Sequence, residues 1–95
     1  MMNDNTIFIF KDHAIIRMLE RGIIKNEVME VIRQGEIIEE YKDDYPYPNV
    51  LMFKMVNNKP LHVVVASNSK ENQTIIVTVY RPDTAKFEPD FKTRK

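Results

Sequence analysis

Val50–Tyr80 reads VLMFKMVNNKPLHVVVASNSKENQTIIVTVY, three apolar runs separated by two polar turns, and this stretch decides the fold. The runs are Val50–Val56, Leu61–Ala66 (LHVVVA) and Gln73–Tyr80 (QTIIVTVY). Each is rich in β-branched and aromatic residues and has strand length. Asn57-Asn58-Lys59 supplies one turn and Ser67–Asn72 the other, using residues whose short polar side chains bond their own backbone. Upstream, Glu36–Tyr41 (EIIEEY) is a fourth strand, ended by Asp43-Asp44 and by Pro46 and Pro48. Sequential strands joined by short turns pair antiparallel, so the expectation is a four-stranded antiparallel meander.

Before the meander the apolar period changes to that of helices. Asp12 is placed to cap a first helix, and Gly22 follows Arg21 where a helix stop is needed. Lys25 or Asn26 opens a second helix, with Val28, Val31 and Ile32 at helical spacing and Gly35 closing it in the same way. In the first helix, Ala14, Ile15, Ile16, Met18 and Leu19 form the expected buried stripe. Thr6–Phe10 (TIFIF) is either an edge strand or an apolar lead-in. Pro82 ends the last strand, and Pro89 lies in a charged tail over residues 82–95. The fold class expected is α+β: two N-terminal helices on a four-stranded antiparallel sheet, with the short leading strand left open. One domain spans residues 1–95, its core at about residues 6–91.

Hydrophobic residues are 43% and charged residues 29%, an ordinary globular composition. Fourteen basic and fourteen acidic side chains cancel, which argues against binding nucleic acid by bulk charge but leaves room for a local basic site. The absence of cysteine removes disulfides, thiolate nucleophiles and cysteine metal sites. The start, Met1-Met2-Asn3-Asp4-Asn5, has no signal-peptide pattern, and no apolar run approaches the ~20 residues of a membrane span. A cytoplasmic protein without cofactor is expected.

Candidate chemistry begins on the first helix. His13, Arg17 and Arg21 recur every four residues, with Glu20 beside them. That spacing stacks an imidazole and two guanidiniums within roughly a 100° arc. Such a row can cradle a phosphate, and it is equally what a solvated helix face presents. His62 sits inside LHVVVA; with the Ser67–Asn72 turn closing symmetrically it faces a position near Thr78. A packed, hydrogen-bonded core histidine is the plain alternative to a catalyst there. Tyr80 and Arg81 end the last strand, where a phenol could donate to a phosphate and a guanidinium neutralise it. Thr78 and Lys11 complete the candidate substrate contacts. The acidic residues Glu36, Glu39, Glu40, Asp43 and Asp44 read as an edge strand kept soluble rather than as a metal site.

Four phrases carry a resemblance: DHAIIRMLERGI (Asp12–Ile23), VMEVIRQGEIIEEYKDDYPYPNVLM (Val28–Met52), KPLHVVVA (Lys59–Ala66) and TIIVTVYRPD (Thr74–Asp83). Together, over about Asp12–Phe91, they resemble the bacterial family called domain of unknown function 4258. That family looks related to the RelE-like toxin fold, grouped with barnase-like and colicin-like ribonucleases. The resemblance implies metal-independent RNA cleavage, with the ribose 2′-hydroxyl attacking the adjacent phosphate. On that basis His13, Arg17 and Arg21 match an H-x3-R-x3-R signature, His62 the histidine of a PLHVV strand, and Tyr80 a strand-ending tyrosine. His13 or His62 would then move protons while Arg17, Arg21 and Arg81 hold phosphate. Unlike most RelE-like toxins, this chain is neutral and has no lysine-rich helix.

Two functions are therefore expected in competition. One is a toxin-antitoxin endoribonuclease with RNA as substrate and a cognate antitoxin as partner. The other is a non-catalytic protein- or RNA-binding module on the same fold. Apolar residues on both faces of LHVVVA indicate a central strand or a homodimer contact.

Overall fold

The computed structural model describes residues 5–95; residues 1–4, on which the reading of the N-terminal start rests, lie outside the described residues. The chain runs β1 (Ile7–Phe10), α1 (Asp12–Arg21), α2 (Lys25–Gln34), β2 (Glu36–Tyr41), β3 (Asn49–Val56), β4 (Lys59–Asn68) and β5 (Gln73–Tyr80).

The sheet corrects the expectation. It has five strands in the order β1-β5-β4-β3-β2, and β1 pairs parallel to β5 while the other pairs are antiparallel. It is a mixed sheet in an α+β fold, not a four-stranded antiparallel one. The cause is the helical crossover. After β1 the chain passes through α1 and α2 to β2 at the far edge, then returns strand by strand until β5 arrives beside β1. Turn chemistry reports only sequential pairings, and a four-residue strand carries no mark of a partner some 66 residues away (Ile7↔Gln73). β4 is central, as its two apolar faces require.

Cross-strand partners share a face, and the two faces differ. On one, Leu61, Val63 and Val65 of β4 join Met52, Ile76 and Val79 against Ala14 and Met18 of α1 and Val28, Val31 and Ile32 of α2. Each fully buried Leu or Val there contributes about 1.5–3 kcal/mol. Only Ala14 and Met18 of the first helix are buried; Ile15, Ile16 and Leu19 are exposed, Leu19 at 77%. The expected five-residue stripe is thus two residues wide, because α1 lies over β5 with one narrow edge.

The turns explain several choices. Lys11, not Asp12, is the N-cap of α1 and makes no side-chain cap bond. Gly22 takes the left-handed conformation (φ 65°) and returns its N–H to the Met18 carbonyl, the expected helix stop. Gly35 differs: its backbone is extended (φ −77°, ψ 176°). Its need for glycine is space, since a Cβ would press on the Val31 carbonyl and come within 2.8 Å of the Phe53 carbonyl. Asn57 and Asn58, both at positive φ, make the two-residue β3–β4 hairpin turn.

Candidate functional site

The site opens where β1 stops. Phe10↔Ile76 is the last β1–β5 pair and Lys11 N–H→Ile76 O (3.0 Å) the last backbone bond. Beyond it the end of β5 borders an open cleft of about 670 Å³. α1 forms one wall with His13, Arg17 and Arg21; β5 and its exit supply Thr78, Tyr80 and Arg81; the segment after Pro82 closes the far side with Asp83, Lys86, Phe87 and Arg94.

A bulge in β5 makes this possible. Between Val65↔Ile76 and Val64↔Thr78 the register slips by one residue, at Val77. Continuing the first register would set Tyr80 opposite Leu61 on the helix side; the slip sets it opposite His62 instead. His62 therefore does not face Thr78. The turn is four residues rather than six, because β4 runs to Asn68 and pairs with Gln73, and the bulge adds one more step.

His62 is fully buried. Its ring is caged by Phe53, Tyr80 and Phe87, with centroids at 5.7, 5.2 and 4.8 Å. Nε2 lies 2.7 Å from the Phe91 carbonyl, which can only accept, so Nε2 carries the proton. Nδ1 is then bare and accepts the Tyr80 hydroxyl at 3.2 Å. Burial lowers the His62 pKa, against the pull of the Phe91 hydrogen bond. Burial likewise raises that of Tyr80, which stays a phenol. Phe91 holds its carbonyl there from a left-handed backbone (φ 60°), a conformation that costs a bulky residue on the order of 1–3 kcal/mol and persists only where neighbours fix it.

The cations differ in how far they are committed. Arg17 pairs with Glu20 (3.2 Å) on the exposed helix face. Arg81 turns toward the Pro60 carbonyl (3.3 Å) and Glu27 (4.0 Å). Arg94 grips Glu39 with two bonds, Nε–Oε2 2.8 Å and Nη2–Oε1 3.1 Å. Among the described residues Arg21 and Lys86 have no carboxylate within 4.0 Å. Burial alone would raise the Glu39 pKa, but its hydrogen bonds with Arg94 and Tyr41 outweigh that and hold it low.

Six of the eight nominated residues, His13, Arg17, Arg21, Thr78, Tyr80 and Arg81, line this cleft. His62 stands directly behind Tyr80. Lys11 does not join them; it lines a separate groove with Ile9, Phe10 and Val77, touching the first only through His13. Lys86, Phe87 and Arg94 were not foreseen, since a charged tail gives no periodic signal, and neither were the Glu36–Lys92 (2.9 Å) and Glu39–Arg94 pairs that tie it to β2. No group of three or more metal-ligating side chains occurs among the described residues.

A family model described as domain of unknown function (DUF4258) matches residues 10–81. The chain belongs to that family. The matched span holds α1, the bulged β5 and the His62–Tyr80 pair, and ends at Arg81, before the outer wall of the cleft. No curated protein and no solved structure matches the chain. Among the described residues no helix is long and apolar enough to cross a membrane.

Proposed function

We propose that this DUF4258 chain is a metal-independent endoribonuclease of toxin-antitoxin type, acting in the cytoplasm. The observation that carries the proposal is the cleft itself: an imidazole, several guanidiniums and a phenol from α1 and β5 line one cleft at an open strand end. A kinship with RelE-like toxins belongs to the same proposal.

In this reading Arg17 and Arg21 bind the scissile phosphate and take up the charge that grows in the transition state. The cleft-lining imidazole, His13, removes the 2′-hydroxyl proton. The 2′-oxygen–phosphorus bond forms, the phosphorus–5′-oxygen bond breaks, and the Tyr80 hydroxyl, turning from His62 Nδ1, gives its proton to the leaving 5′-oxygen. The products are a 2′,3′-cyclic phosphate and a 5′-hydroxyl; solvent then takes the proton from His13 and returns one to Tyr80. His62 touches no solvent, so its role is to hold the Tyr80 hydroxyl in place. The test is cleavage of a labelled RNA in the presence of a chelator: His13→Ala should cost about 10²–10⁴-fold in rate with the thermal melt unchanged. Equal rates for wild type and His13→Ala would end the mechanism.

A second reading rests on a different observation. Ile15, Ile16 and Leu19 leave an exposed apolar strip along α1, on the side of the helix turned away from the cationic row, which suits a protein partner such as an antitoxin or a second copy. A binding module would keep its partner after His13→Ala and lose it after Leu19→Asp. Loss of RNA cleavage in the first variant alone favours the enzyme.

A further inference from the structure

The family match stops at Arg81, but the cleft continues onto the segment that follows. That segment is folded on itself. Phe87 and Arg94 form a β-bridge, Glu88 N–H bonds the Thr93 carbonyl (2.8 Å) and Lys95 N–H the Lys86 carbonyl (3.0 Å). Asp90 closes the turn by accepting Lys92 N–H (2.9 Å) and Thr93 N–H (3.0 Å). The Phe87 ring and the Phe91 carbonyl fasten it to His62.

We propose that residues 82–95 form a second phosphate-binding wall, with Lys86 and Arg94 as its contacts and Glu39 as the positioning residue for Arg94, and that the ligand is a single-stranded polynucleotide lying between the two walls. This rests on the reading of the cleft as an RNA site.

Arg94 is pre-organised. Its guanidinium lies 4.8 Å over the Phe87 ring, and Glu39 takes two of its five N–H donors. Glu39 is itself fixed by β2–β3 pairing opposite Leu51 and by the Tyr41 hydroxyl. Arg94 lines the cleft together with Tyr80, and hydrogen bonding with the Tyr41 and Tyr80 hydroxyls fixes it further. A side chain already held in one rotamer loses little entropy on meeting a ligand. Lys86 lines the same wall with no carboxylate within 4.0 Å among the described residues. The one acid in the lining, Asp83, has Oδ1 occupied by Ala85 N–H (2.8 Å). Cations on facing walls fit a strand that repeats its charge at every nucleotide; a lone phosphate engages only one of them.

The test uses a fluorescent 2′-O-methyl RNA octanucleotide, which lacks the attacking hydroxyl, and reads affinity against salt for folded, full-length protein. Lys86→Ala should weaken binding about 3–10-fold at low salt and flatten the log–log salt slope by about 0.7. Glu39→Gln separates positioning from bulk charge. Removing a carboxylate should tighten anion binding if charge alone matters, and should weaken it if Arg94 loses its anchor. Adding Arg94→Ala to Glu39→Gln should then change little more. Should wild type bind with Arg21→Ala weakened, while Lys86→Ala and Glu39→Gln bind as wild type or tighter, the second wall is refuted and the α1 wall stands. Wild-type protein that does not bind the octanucleotide overturns the RNA reading and this inference with it.

Discussion

The two faces of the sheet are covered by different means. The helix side is dry: Leu61, Val63, Val65, Ile76 and Val79 meet apolar side chains of α1 and α2. The other side is mixed: Leu51, Phe53, Ala66, Ile75 and Phe87 are buried there, and beside them His62, Tyr80, Glu39 and Tyr41 meet aromatic rings, Arg94 and a backbone carbonyl from residues 82–95. No buried side-chain nitrogen or oxygen among the described residues lacks a partner. Non-directional packing alone holds one face, and specific hydrogen bonds are added to it on the other. The candidate site lies at the edge where the two meet. The comparison fails if substitutions on the two faces behave alike.

The largest effect belongs to the dry face. Leu61 is fully buried against the helices, so Leu61→Ala should remove about 2–5 kcal/mol of stability, read from urea denaturation, with no dependence on pH. A loss below 1 kcal/mol would mean that the helix layer relaxes freely onto the sheet.

His62 gives the next effect, and it should depend on pH. Burial lowers its folded pKa below the ordinary 6.5, so the unfolded chain binds the extra proton first. Stability should be flat above about pH 6.5 and fall as pH drops below it, because the unfolded state holds more protons there. Glu39 has a lowered pKa and holds its contribution until the acid range below 4.5, leaving the window between to His62. In His62→Gln that slope should vanish, with a loss at neutral pH of about 1–3 kcal/mol from the disturbed Tyr80 and Phe91 partners. An unchanged slope would place the titration elsewhere and remove the distinction between the faces.

The same contrast explains what the sequence made legible. Helical spacing in Val28, Val31 and Ile32, β-branched runs and the Asn57-Asn58 turn identify the elements and most of the dry face, because period and turn chemistry are local. The H-x3-R-x3-R row and Tyr80-Arg81 nominate two sides of the cleft. The parallel β1–β5 pair, the bulge at Val77 and the wall beyond Pro82 leave no periodic trace. Each depends on a non-local contact. The bulge matters most, since one inserted residue decides whether Tyr80 meets Leu61 or His62.

The smallest effect tests whether the polar face is held by charge or by fit. Lys92–Glu36 (2.9 Å) and Arg94–Glu39 both bind residues 82–95 to β2, but they differ in setting. Both partners of the first are exposed, the second is bidentate, and its carboxylate is mostly covered. Exposed pairs contribute about 0–1 kcal/mol and fade with salt, whereas a forked guanidinium–carboxylate pair gains from geometry. Lys92→Ala should therefore barely move the urea midpoint, and not move it at all in high salt. A double-mutant cycle on Arg94 and Glu39 should keep a coupling energy in the same salt. Equal, salt-sensitive couplings for the two pairs would make the segment an electrostatic attachment, and the fixed placement of Arg94 in the cleft wall would lose its physical basis.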